Sequence, residues 1–116
     1  MINILGTALT ALNAFSRKLG VSANNIANVN TDGFKKSRAV LEEESPYGVN
    51  VNISRVDTPG SLIPSFDESG EAKESSNVSL EEEIIGLKIA ENGFKANLKA
   101  LKAADEALGS LLDKMG

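Results

Sequence analysis

The chain has 116 residues and a formal net charge of −4, with no Cys, no His and no Trp, four Phe and one Tyr. The lack of Cys and His removes disulfides, thiolate metal sites and imidazole bases, and no segment carries the basic surplus of a nucleic-acid binder. So few aromatics leave Leu, Ile, Val and Ala to supply the buried area, which favours helix–helix seams over a thick core.

The first ten residues hold no Lys or Arg. No stretch approaches the roughly 18 apolar residues of a membrane span, so neither a cleaved secretory signal nor membrane insertion is expected. Ile2, Leu5, Leu9, Leu12, Ser16, Leu19, Ala23 and Ile26 then follow alternating steps of three and four. All but Ser16 are apolar, which predicts a helix packing along another helix. Gly6 and Gly20 weaken that helix by about 1 kcal/mol each relative to Ala. Asn24, Asn25 and Asn28 near its end favour caps and turns. The segment 30–33 reads as a turn, with Gly33 free to take positive φ.

The middle, residues 35–77, holds Pro46, Pro59 and Pro64. Val49, Val51 and Ile53 alternate with Asn50, Asn52 and Ser54, the period of a half-buried strand. Ala39-Val40-Leu41 is placed to pair with it across Pro46-Tyr47-Gly48. The polar run 65–77 reads as a loop or linker. One small hairpin is therefore expected here, leaning on the helices because a lone hairpin is marginal in water.

The last segment, residues 78–116, opens with Ser79-Leu80-Glu81-Glu82, a capping-box pattern, and Glu81, Glu82 and Glu83 suit the positive end of the helix dipole. Leu80, Ile84, Leu87, Glu91, Phe94, Leu98, Leu101, Asp105, Leu108, Leu112 and Met115 then step by four and three. Nine of these eleven are apolar, which predicts a helix running to about Lys114, near 50 Å long at about 1.5 Å per residue. Glu91 and Asp105 interrupt the seam and can set register. The expected fold is mainly α. Residues 1–34 and 78–116 form a coiled-coil-like helix pair, and residues 35–77 form a small β-hairpin and loop insert. Pairing the helices only with each other leaves Val21, Ile85 and Ile89 open, so further neighbours are expected.

No catalytic site is visible. The Ser residues have no His to activate them. Residues 42–44 read as a solvated strand end. Asp67-Glu68-Ser69-Gly70-Glu71 lacks the alternating ligands and distant Glu of a calcium loop, and no phosphate-binding glycine loop occurs. No enzyme activity, cofactor or metal is expected. The unusual stretch is 25–35, Asn25-Ile26-Ala27-Asn28-Val29-Asn30-Thr31-Asp32-Gly33-Phe34-Lys35. It reads either as a frayed helix end and turn, or as a terminus whose Asn amides, each with two donors and one acceptor, bond main-chain groups of neighbours.

Residues 22–35, Ser22-Ala23-Asn24-Asn25-Ile26-Ala27-Asn28-Val29-Asn30-Thr31-Asp32-Gly33-Phe34-Lys35, closely resemble the N-terminal signature A-N-N-[IL]-A-N-x-x-T-x-G-[FY]-K/R of bacterial flagellar basal-body rod and hook proteins. Asn77-Val78-Ser79-Leu80-Glu81-Glu82-Glu83 is similar to that family's N-V-[ND]-x-x-x-E segment. Residues 90–97 resemble its A-x-R-x-[YF]-x-A-N core, and residues 104–108 resemble its T-A-D-E-M-L. Glu91-Asn92-Gly93 departs from the core pattern, which prefers Arg where Asn92 stands. The short middle, with Asp67-Glu68-Ser69-Gly70 ahead of Asn77-Val78, is similar to the small proximal-rod members, the C-type above all.

The resemblance implies a structural subunit of the proximal rod, the axial tube that joins motor to hook. It implies export from the cytoplasm through the flagellar type III apparatus and a place in the periplasmic rod of the basal body. The implied partners are other rod subunits, axial proteins and copies of the same chain. The implied assembly residues are Leu5, Leu9, Leu12, Leu19, Asn24, Asn25, Ile26, Asn28, Thr31, Gly33 and Phe34 at the first end. At the second they are Leu80, Ile84, Leu87, Phe94, Asn97, Leu98, Leu101, Leu108 and Leu112. The two leucine seams are expected to pair within a subunit, leaving outer faces for neighbours, and the glycines keep the free monomer loosely ordered until docking. The alternative is a cytoplasmic helical-hairpin adaptor or export chaperone, which has the heptads but no use for the Asn-rich signature.

Overall fold

The structure is a computed structural model and describes residues 2–66 and 68–116. The acidic loop reading at Asp67 and the seam position of the Ile2 side chain lie outside what is described. Helix α1 spans Ile2–Ala27 and helix α2 spans Leu80–Met115. They pack along each other in antiparallel fashion, with Gly86 beside Ser22 and Gly93 beside Phe15. The molecule is elongated, 76 × 24 × 17 Å.

The expected leucine seam is not the line of closest contact. The buried side chains of α1 are Ala8, Ala11, Ala14, Ser22 and Asn25, and that of α2 is Ala90. Small residues let the two backbones approach, and Phe15 fills the space over Gly93. A Cβ on Gly93 would stand 2.5 Å from the Phe15 ring, and one on Gly86 would stand 3.4 Å from Ser22 Oγ. With 3.6 residues per turn, each residue advances about 100°. The leucine rows therefore sit beside the small-residue contact, to one side of the pair. The capping box is not formed either: Ser79 is the N-cap in an extended conformation, but its side chain makes no capping bond. Glu82 instead reaches Lys36 at 3.3 Å.

The insert holds two ribbons rather than one hairpin and a linker. Strands β1 (Ser37–Glu43) and β2 (Val49–Arg55) pair antiparallel, with Leu41 opposite Val51 and Ala39 opposite Ile53. Their inner face lies on α1. Val51 is buried there while Asn50 and Asn52 face water, as the alternation requires. The turn seats on Thr10, whose hydroxyl accepts the Val49 N–H at 3.1 Å. Gly48 at φ 115° brings the backbone against that hydroxyl, and a Cβ there would lie 2.9 Å from it.

Strands β3 (Leu62–Phe66) and β4 (Ala72–Glu74) form the second antiparallel ribbon, with a register shift between Leu62 and Phe66. Part of 65–77 is thus strand. Pro64 inside β3 and the polar sequence of β4 hide the pattern, and Pro is tolerated because both strands are edges.

Candidate assembly interface

Two features are built from the residues singled out in the sequence. The first is a junction at the end of α1. Asn25 is fully buried and all three of its hydrogen-bonding groups are engaged within the chain. Its Nδ2 donates to the Ser37 carbonyl at 2.8 Å and to Glu83 Oε1 at 3.0 Å, and its Oδ1 accepts the Ser37 N–H at 3.0 Å. Ser37 turns these groups away from β2, because its neighbour Lys36 bonds Val56 across the ladder. The Asn25 amide therefore occupies the place of a further strand at the outer edge of β1. One side chain ties α1, β1 and α2 together.

Asn77 makes a second tie. Its Oδ1 accepts the Lys36 N–H at 2.7 Å, its Nδ2 donates to the Val56 and Thr58 carbonyls at 2.9 Å each, and its own N–H donates to the Phe34 carbonyl. Asn28 and Thr31 shape the turn between: Asn28 Nδ2 donates to the Asn24 carbonyl and the Thr31 hydroxyl donates to Asn28 Oδ1. Gly33 takes φ 72°, as the turn requires, and its N–H donates to the Glu74 carbonyl at 2.8 Å. Lys35 Nζ lies 2.9 Å from Glu74 Oε2, and that bond and charge hold the Glu74 carboxyl below its ordinary value. Farther along α2, a bond from Lys95, with the charges of Lys88 and Lys95, likewise holds Glu91 down.

The second feature is a groove along one side of the helix pair. Leu5 and Leu9 from α1 and Leu98, Leu101, Lys102 and Asp105 from α2 line it, enclosing about 590 Å³. Leu9 is 56% exposed and Leu98 48%. Leu12, Leu19, Ile26, Leu87, Phe94 and Leu108 continue the two rows as half-buried residues, while Leu80, Ile84 and Leu112 are exposed.

The structure thus divides the expected interface. Asn25 and Gly33 hold the fold, Asn28, Thr31 and Phe34 form the turn, and Asn97 bonds the Gly93 carbonyl of its own helix at 2.9 Å. Asn24 is exposed, and the leucine rows are partly open to solvent.

Sequence reasoning missed Phe15, Glu83, Asn77 as a side-chain tie, and the alanines of the contact. A second heptad, Ala8-Ala11-Phe15-Lys18-Ser22-Asn25, runs one residue behind the leucines and carries little hydropathy signal. Among the described residues, no group of His, Cys, Asp and Glu is gathered to hold a metal ion. No described helix is long and apolar enough to cross a membrane.

Both helical ends match known families. Residues 5–35 match the family model described as Flagella basal body rod protein, and residues 70–114 match Flagellar basal body rod FlgEFG protein C-terminal. The flagellar basal-body rod protein FlgG of Buchnera aphidicola subsp. Baizongia pistaciae is 51% identical over 43 residues, 37% of this chain and 16% of that one. Over spans of the same length and coverage, FlgG of Bacillus subtilis is 46% identical and that of Buchnera aphidicola subsp. Schizaphis graminum 49%. These matches span about a sixth of the relatives' length. With α1 and its signature turn matching one model and β4 and α2 the other, the chain belongs to the flagellar basal-body rod protein family.

Proposed function

We propose that the chain is a structural subunit of the proximal rod, assembling through the open side of its helix pair into the axial tube between motor and hook. The observation that carries this reading is the pair of leucine rows on α1 and α2, which the monomer places side by side and leaves partly open, with Leu9 and Leu98 about half exposed. Exposed apolar surface of this kind marks an interaction site. The short interval between the two matched segments, residues 36–69, supports a small member such as the C-type, because it has room only for strands β1 to β3. Export through the flagellar type III apparatus and final residence in the periplasmic rod belong to the same reading. Family membership favours it over a cytoplasmic adaptor or chaperone.

The test is deletion of the chain in its own cell, with electron microscopy of the basal bodies. The expected result is loss of the rod and of motility, restored by the intact chain. Complete rods in the deletion strain would remove the proposal.

A further inference from the structure

Many strand-edge groups of the insert are already taken. On β2 the Val49 N–H donates to Thr10 and the Val51 N–H to Asn50 Oδ1. In β3 Pro64 has no N–H to offer, and on β4 the Glu74 carbonyl accepts the Gly33 N–H. On β1 the Asn25 amide fills the edge at Ser37. The ladder joins Lys36 to Val56 and Glu44 to Gly48, so Ala39, Leu41 and Glu43 turn their N–H and C=O groups outward, as Ser37 does. Among the described residues, nothing in the chain bonds those outward groups. This open edge runs beside α2. Ser37, Arg38 and Ala39 share a recess of about 210 Å³ with Lys18, Glu82 and Gly86. Around α2 from Ala90, which faces α1, Glu82 and Gly86 stand about 80° and 40° to one side, and Ile89 and Ile85 about 100° and 140° to the same side. Ile85 is 60% exposed and Ile89 55%. No Cα of β1 comes within 8 Å of one in α2, so edge and flank stand apart as the two walls of a cleft.

We infer that this cleft takes an extended segment of a partner protein, added antiparallel to β1 over residues 39–43 with its inward side chains on Ile85 and Ile89. Main-chain bonds to Ala39, Leu41 and Glu43 supply the hold, and the isoleucines select apolar side chains at alternate positions. Charge defines the ends of the segment. Lys18 and Arg38 stand at the Asn25 end, and among the described residues neither has an ion pair. Lys36 there is taken by Glu82, and Glu83 by Asn25. Glu42, Glu43 and Glu44 stand at the other end of the strand. An antiparallel segment that meets unlike charge at both ends therefore reads basic, apolar, acidic from its start. Asn25 closes the ladder, so the acidic end stops beside Lys18. A folded second copy does not fit. Antiparallel pairing of two β1 edges puts both α1 helices on one face of the joined sheet, where α2 already lies. The occupant is a free extended segment, and its site stands apart from the leucine groove and goes beyond the rod-subunit reading.

A synthetic peptide with the sequence of residues 36–44 has this order of charge, from Lys36 to Glu44, and serves as the probe. It is titrated into the full-length chain while amide hydrogen exchange is followed by NMR. At a peptide concentration about ten times its Kd, exchange of the Ala39 and Leu41 amides should slow about tenfold, as that occupancy dictates. The Ile53 amide on β2 should not change. A peptide with its basic and acidic ends exchanged should bind roughly two- to fivefold more weakly, the worth of exposed ion pairs. Ile89→Asp, at an exposed position, should weaken binding of the first peptide roughly fivefold through lost apolar contact. No protection of Ala39 and Leu41 at millimolar peptide, protection of Ile53 in their place, or binding indifferent to both the exchanged ends and Ile89→Asp overturns the proposal.

Discussion

The amide of Asn25 meets Ser37 in both directions and also donates to Glu83. Aspartate keeps the shape of that side chain but replaces both donors with an acceptor. Asn25→Asp therefore sets a carboxylate against the Ser37 carbonyl and the Glu83 carboxylate in a buried site. We expect a loss of about 3 kcal/mol at neutral pH by denaturant unfolding, with part of it recovered where the new carboxyl is protonated. A loss under about 0.5 kcal/mol, the size of an ordinary surface substitution, would show the tie to be incidental.

Glu74 offers a pH test at the same scale. Its carboxyl is held below the ordinary value by the Lys35 bond. Its stabilising contribution is therefore present above the ordinary carboxylate range and lost as pH falls through the depressed folded value. Acid should free Lys35 and loosen the end of β4, and Glu74→Gln should erase that step. Side-chain NMR titration of Glu74 reads it directly, and a midpoint at the ordinary value would refute the pairing. The signature was legible as an unusual run of amides. Its role as an internal strand mimic was not, because that depends on where β1 returns in space.

At the scale of elements, helix type and extent were readable, and helix packing was not. The apolar periodicity located both helices to within a few residues. It assigned the leucine rows to the contact because hydropathy counts large apolar side chains. A row covered within the chain and a row left open look alike in sequence. The true contact uses Ala, Gly and Ser, which leave a weak apolar signature but permit close approach.

The glycines of α2 test this arrangement in opposite directions. Gly93→Ala puts a Cβ against the Phe15 ring, so despite better helix propensity it should destabilise the fold by about 1 kcal/mol or more. Gly109 has nothing within 4 Å of such a Cβ, so Gly109→Ala should stabilise the fold by up to about 1 kcal/mol. Thermal melts of the two variants should move apart, and a shift of the same sign in both would contradict the packing. The β3–β4 ribbon escaped notice for a different reason. Pro64 interrupts the strand pattern of 62–66, and Ala72-Lys73-Glu74 has no alternation to detect.

At the scale of the whole molecule, the long shape and small-residue seam leave little buried apolar surface in the monomer. Four of the five buried apolar side chains among the described residues are alanines. The larger apolar groups line the groove and the outer flank of α2, where other molecules can cover them. On the proposed function, fold and assembly use different residues: Asn25, Asn77 and the small-residue seam shape the subunit, and the open parts of the leucine rows are left for a partner.

The measurement that tests this division most directly is complementation of the deletion strain by the double variant Leu9→Asp, Leu98→Asp, read by electron microscopy of basal bodies. A circular dichroism spectrum of the purified chain is taken alongside. The account predicts an unchanged spectrum and no rods. Normal rods with both carboxylates in the groove would contradict it.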